Sequence, residues 1–192
     1  MCALNEVKGM WVYMEKIITN KNNLKEEEIT EVVERVKLLI VNSKNEILLC
    51  NSHNDYHFPG GHVEDNETFL EAINRELTEE TGMELNIKNI SPFAQSLGYY
   101  KDWPSKGKNR KIIINYYEIK TDEKVNLNNV NYTEQEKDGN FKVISMPLDK
   151  VEEELIKNKD KYGDNKGIIR EMLDLLKIYK KIRNQNEIFN CD

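Results

Sequence analysis

Residues 61–83 read GHVEDNETFLEAINRELTEETGM, and their spacing decides how the rest of the chain is read. Thr68 is a good N-cap, and Glu71 three residues on completes a Thr-x-x-Glu capping box. The pattern predicts a helix over 69–81, ended by Gly82 as a left-handed C′ residue. Leu70, Ile73 and Leu77 recur at i, i+3 and i+7 and give that helix one apolar stripe for a core. Glu76, Glu79 and Glu80 recur at i, i+3 and i+4, so three carboxylates fan out together beside the stripe.

For an isolated helix this is a poor choice. Like charges at i, i+4 repel by a few tenths of a kcal/mol, and each anion in the last turn costs about 0.3–1 kcal/mol against the macrodipole. A bound cation reverses the sign of every one of these terms. Carboxylates, backbone carbonyls and phosphates are the donors that Mg²⁺ prefers, with several waters retained. Most charged helix faces are merely solvated, but here Gly60-Gly61, Glu67, Arg75 and Gly82 stand in register around the glutamates.

That register is specific. Gly61 is followed after five residues by Glu67, then after seven more by Arg75-Glu76-Leu77, then Glu79-Glu80 and Gly82-Met83. The stretch resembles the Nudix box, GX5EX7REUXEEXGU with U aliphatic, at every specified position. Tyr56-His57-Phe58-Pro59-Gly60-Gly61 likewise resembles the loop that leads into the box.

The resemblance implies an α/β Nudix fold, a mixed β-sheet sandwiched between α-helices. It also implies hydrolysis of a diphosphate linkage with Mg²⁺ or Mn²⁺ as cofactor. By position, Glu76, Glu79, Glu80 and the Gly60 carbonyl become the metal ligands. Arg75 becomes the residue that orients a carboxylate, and Glu67 a structural partner. The general base is either a box glutamate or one from a later loop, where Glu134 and Glu136 in NYTEQEKDGN are the candidates. Tyr56, Phe58 and Gly61 of that entry loop, where glycine lets the backbone approach a ligand closely, are expected to contact substrate.

At 192 residues the chain suits one domain with decorations. We read 1–30 as an N-terminal extension, 31–183 as the Nudix domain and 184–192 as a frayed tail. A net charge of −6 argues against a general nucleic-acid binder, and no apolar run approaches membrane-spanning length. Cys2, Cys50 and Cys191 are odd in number, scattered and without CxxC spacing, so they read as free thiols in a reducing compartment. With no signal-peptide pattern at the start, a soluble cytoplasmic protein is expected. His53, His57 and His62 cluster near the loop but lack the second ligand pair of a structural zinc site. The unplaced N-terminal residues could pack on their own domain or reach a second subunit, which leaves a homodimer open.

Outside the box the alternation of Val32, Val36, Leu38 and Ile40 predicts a strand over 31–41. Asn42-Ser43-Lys44-Asn45 is turn chemistry, and 46–50 is the return strand of a hairpin. Further strands are expected at 85–90, 93–100, 111–120 and 141–146, with a short one beginning at Trp11-Val12-Tyr13. Pro147 opens a helical segment, and Ile169, Met172, Leu176 and Tyr179 mark a last helix over about 166–183.

The box does not name a leaving group, because specificity lies in other loops. Trp103 shares a loop with Lys106, Lys108, Arg110 and Lys111, where an aromatic face and cations could take a base and phosphates; a solvated hairpin loop is the plainer alternative. Tyr99 and Tyr100 lie near the tyrosine that marks the diadenosine-polyphosphate branch, although paired tyrosines in a strand more often serve packing. A small-molecule substrate of the type nucleoside diphosphate linked to another moiety is expected, with a nucleoside triphosphate as the alternative. A glycosyl or isoprenoid diphosphate is a third enzymatic choice. A non-catalytic nucleotide sensor on the same fold is the alternative of another class.

Overall fold

One strand organises the molecule by the parity of its residues. In the computed structural model, which describes residues 4–7, 10–164 and 167–189, EVVERVKLLIV forms the strand Glu31–Val41. In chain order the elements are β1 (Leu4–Val7), β2 (Met10–Tyr13), β3 (Glu15–Thr19), β4 (Glu31–Val41), β5 (Glu46–Ser52) and β6 (Asp55–His57). Then follow α1 (Phe69–Thr81), β7 (Ala94–Tyr100), β8 (Arg110–Lys120), α2 (Glu134–Asp138), β9 (Lys142–Pro147), α3 (Val151–Tyr162) and α4 (Ile168–Phe189). β1 and β2 form a separate antiparallel pair.

The remaining strands make one seven-stranded sheet in the order β3-β7-β8-β4-β5-β6, with β9 also on β5. The β3–β7 and β4–β8 pairs are parallel and the others antiparallel, so the sheet is mixed. Even residues of β4 (Val36, Leu38 and Ile40) face α1, where they pack with Ala72, Ile73 and Leu77. Odd residues Leu39 and Val41 face the other layer, with Leu155 of α3 and Ile169, Met172 and Leu176 of α4. Each such side chain, fully buried, contributes about 1.5–3 kcal/mol, which commits both faces of the sheet to helical cover. The expected sandwich of helices about a mixed sheet is what forms.

Several local expectations change. Residues 85–90 are not a strand. The side-chain amide of Asn74 on α1 donates to the Ile87 carbonyl at 2.9 Å and accepts from the Ile87 N–H at 2.7 Å, taking the bonds a ladder would supply. Leu85, Ile87 and Ile90 still pack against the α1 core, which explains their apolar pattern. The segment holding Glu134 and Glu136 is not a loop but the short helix α2, started by a Thr133-x-x-Glu136 capping box. Residues 184–189 continue α4 beyond the end its apolar spacing suggested. Part of the region read as an extension, β3, joins the sheet edge in parallel with β7. Cys2 and Cys191 lie outside the described residues. Among the described residues no helix is long and apolar enough to cross a membrane.

Candidate active site

α1 begins and ends where its sequence dictates. Thr68 Oγ1 accepts from the Glu71 N–H at 3.3 Å, and Glu71 returns a carboxylate oxygen to the Thr68 N–H at 2.8 Å. Gly82 closes the helix at φ 68°, with its N–H on the Thr78 carbonyl. No basic side chain caps the last turn; instead the Glu79 and Thr81 carbonyls accept from the backbone of Asn131 and Asn126. Those bonds tie the loop that leads to α2 against the end of α1.

The glycine-rich loop lies along β4 where β5 has peeled away. Leu38 N–H donates to Pro59 O at 2.8 Å and Val36 N–H to Gly61 O at 3.0 Å. Gly60 sits at φ 115°, and a Cβ there would fall 2.3 Å from the Val36 carbonyl oxygen. A Cβ on Gly61 would fall 2.4 Å from Glu76 Oε1. Only glycine lets this backbone touch both the strand and the box carboxylate. From the loop, Gly60 N–H donates to Glu80 Oε2 at 2.6 Å.

Arg75 gathers the acidic residues. Its Nε and Nη2 make a two-pronged pair with Glu67 at 2.8 and 2.9 Å, while Nη1 reaches Glu76 at 2.8 Å and Glu79 at 3.1 Å. Nη2 also donates to the His62 carbonyl. The fork geometry of guanidinium suits this multiple duty, which an ammonium could not perform. The hydrogen bonds from Arg75 hold the Glu67 carboxyl below its ordinary range.

Glu76 and Glu80 are buried, whereas Glu79 is partly exposed. Burial pushes the Glu80 carboxyl up to about 8, against the opposing charge of Lys37 and the Gly60 hydrogen bond. Burial also raises Glu76, opposed by Arg75. Crowded, desolvated carboxylates beside a partly exposed one fit a divalent oxygen-seeking ion, which would supply the missing positive charge. The Gly60 carbonyl, expected on a metal, accepts instead from Lys37 Nζ, which also donates to Phe58 O at 2.8 Å.

A cleft of about 620 Å³ opens over Glu76, Glu79, Glu80 and Arg75, with Phe58, Gly60 and Gly61 in its lining. The cleft is also lined by Arg35 and Lys37 of β4, Tyr116 of β8 and Glu171 of α4. Arg35 Nε is buried with no acceptor, and its Nη2 lies 3.0 Å from His62 Nε2. Burial and the Arg35 charge lower the His62 pKa. Glu136 lines the cleft; Glu134 does not, and its exposed carboxylate pairs with Lys137 at 2.7 Å.

Three expected substrate contacts fall elsewhere. Tyr56 is buried in the core, its hydroxyl donating to Glu154 at 3.1 Å. Trp103 and Arg110 do not line the cleft; the guanidinium stacks 4.4 Å from the indole centroid and pairs with Glu31. Arg35 and Lys37 were missed by sequence reading. Their signal was available: two cations stand on the odd, inward-facing parity that Leu39 and Val41 continue.

Among curated proteins none matches the chain. Among solved structures, the MutT protein from Methanosarcina mazei Go1 is 23% identical with a TM-score of 0.43, over 62% of this chain and 80% of that one. The C. elegans Ap4A hydrolase binary complex is 21% identical with a TM-score of 0.45, over 75% and 97%. A MutT protein from Bacillus halodurans is 20% identical with a TM-score of 0.45, over 63% and 72%. The family model described as the NUDIX domain matches residues 32–171, well over half of the sequence. With the intact box, the sandwich about a mixed sheet and the family match in agreement, the chain belongs to the Nudix family and is a Nudix pyrophosphohydrolase.

Proposed function

We propose that this protein hydrolyses the diphosphate linkage of a nucleoside diphosphate joined to another moiety, with Mg²⁺ or Mn²⁺ held by Glu76, Glu79 and Glu80. Nudix hydrolases generally use divalent metal ions and act on small nucleotide-type substrates. The observation that carries the reading is the convergence of these three carboxylates on one cleft, two of them held by the Arg75 guanidinium. A bound divalent ion supplies charge neutralisation at the phosphates and a more acidic water. Arg75 fixes the rotamers of Glu76 and Glu79, and the Gly60 N–H fixes Glu80.

Glu136 serves as the general base. Its Oε2 is occupied by the N–H and hydroxyl of Thr133, and it stands on the cleft lining with Oε1 remaining to take a proton. Arg35 and Lys37 give the cleft positive charge for an anionic substrate. That same pair supports the second reading, a nucleoside triphosphate, whose extra phosphate needs further cations. A nucleotide sensor without catalysis is disfavoured, since every box carboxylate is retained. The scattered cysteines fit work in a reducing cytoplasm.

The deciding experiment is a hydrolysis screen with Mg²⁺ and with Mn²⁺ over dinucleotides, nucleotide sugars and nucleoside triphosphates. Release of a nucleoside monophosphate from a linked diphosphate is expected. Tight nucleotide binding with no cleavage of any substrate would overturn the enzymatic reading.

A further inference from the structure

Behind the acidic cluster the sheet offers donors of a different kind. Cys50 of β5 stands directly opposite His57 of β6 in the antiparallel ladder, which puts both side chains on the same face. Glu80 arrives from α1, with its Oε2 3.9 Å from Cys50 Sγ. One ligating atom from each of Cys50, His57 and Glu80 lies within 4.8 Å of the other two. Cys50 is fully buried, whereas His57 and Glu80 also line the cleft, so an ion can arrive from solvent and meet the sulfur last. The His57 ring is flanked by Phe141, centroids 5.7 Å apart.

We propose that Cys50, His57 and Glu80 form an inner site for a borderline-soft divalent ion of the Zn²⁺ or Co²⁺ type, which shares Glu80 with the outer carboxylate site. Thiolate and carboxylate together carry the two negative charges that neutralise such an ion. On binding, the Cys50 S–H bond breaks, a sulfur–metal bond forms and the proton leaves to solvent; no electron is transferred. Tetrahedral zinc with bonds of about 2.0–2.3 Å holds its ligands about 3.3–3.8 Å apart, so the three side chains need close by only about an ångström. The fourth position opens to the cleft.

Thiolate and imidazole select against Mg²⁺, which keeps oxygen ligands and water, and in favour of zinc or cobalt. A soft ion on Glu80 takes carboxylate charge from the outer site and repels a second dication there. Soft metal therefore inhibits the Mg²⁺-supported reaction. That inhibition rests on the proposed activity, while the binding does not.

The test adds Co²⁺ to the purified full-length protein and reads absorption. An intense thiolate-to-cobalt charge-transfer band is expected, saturating at one equivalent, absent in Cys50→Ala and weakened in His57→Gln. Thermal melts establish that both variants fold; should Cys50→Ala fail to, the partly exposed His57→Gln decides alone. Zn²⁺ should inhibit Mg²⁺-supported hydrolysis in the wild type, and Cys50→Ala should require more Zn²⁺ by about tenfold or more. No thiolate band in the wild type, or equal zinc inhibition of both proteins, overturns the proposal. A protein that cleaves nothing refutes the proposed function and leaves the cobalt spectrum able to judge the site.

Discussion

The ammonium of Lys37 donates to the Gly60 carbonyl and so stands inside the acidic cleft as a tethered cation. It also bonds the Phe58 carbonyl and lies close enough to oppose the rise of Glu76 and Glu80. A divalent ion at the box must bind despite this charge. Lys37→Met removes the repulsion and frees the Gly60 carbonyl, so Mn²⁺ affinity should rise, by about tenfold if the change is about 1.4 kcal/mol. The metal-free fold should lose about 1–3 kcal/mol, because two loop carbonyls forfeit their donor. Calorimetric titration and thermal melting check the two signs; weaker Mn²⁺ binding would contradict the argument.

Glu80 trades stability for function. In the metal-free protein its carboxyl is pushed up to about 8, against an ordinary value of 4.5. Between those pH values the unfolded chain ionises while the folded chain keeps its proton, so stability falls as pH rises from about 4.5 toward 8 and then levels off. Glu80→Gln removes this dependence and keeps an acceptor for the Gly60 N–H. With chelator present it should stabilise the fold by about 1–3 kcal/mol at pH 7 and by nothing near pH 4. Turnover with saturating Mg²⁺ should meanwhile fall by about 10²-fold or more, because a side chain that holds the ion is lost. Parallel melting-temperature profiles of mutant and wild type across that pH range would refute the assignment.

Arg75 cannot be replaced by the other cation. Lys offers no planar fork to span Glu67, Glu76 and Glu79 at once. Arg75→Lys should lower activity about 10–100-fold, as the loss of a group that orients ligands commonly does. Steady-state kinetics at several Mg²⁺ concentrations make the comparison, and wild-type rates would remove Arg75 from the machinery.

The two later glutamates should separate cleanly. Glu136→Gln preserves the capping box, which accepts Gln as readily as Glu, but loses the base. It should cut kcat by about 10²–10⁴ with an unchanged melting temperature. Glu134→Gln breaks only an exposed pair with Lys137 and should leave kcat within about twofold. Equal effects of the two substitutions on kcat would show that neither is the base.

The sequence was most informative where local rules and packing agree. Thr68, Glu71 and Gly82 define the ends of α1 through contacts within a few residues, and the predicted 69–81 span is the one observed. β4 was equally legible because its alternation continues through both core layers. Residues 85–90 misled because the apolar pattern reports burial, whereas Asn74, more than ten residues earlier, supplies the hydrogen bonds. The cleft wall escaped for a related reason. Arg35 and Glu171 meet only when β4 and α4 come to the same cleft, and no local spacing records that. Trp103 drew attention by its chemistry, yet Arg110 and its own loop engage it away from the cleft.

β4 holds two trades on one backbone. Its even residues clamp the hydrolytic helix, while Arg35 and Lys37, two of its odd ones, look onto whatever the cleft admits. Exchanges at Arg35 can retune the choice of guest while the bond-cutting apparatus stays seated, whereas Lys37, bonded to the Phe58 and Gly60 carbonyls, ties the guest to that apparatus, so new tastes arise more readily at one place than at the other.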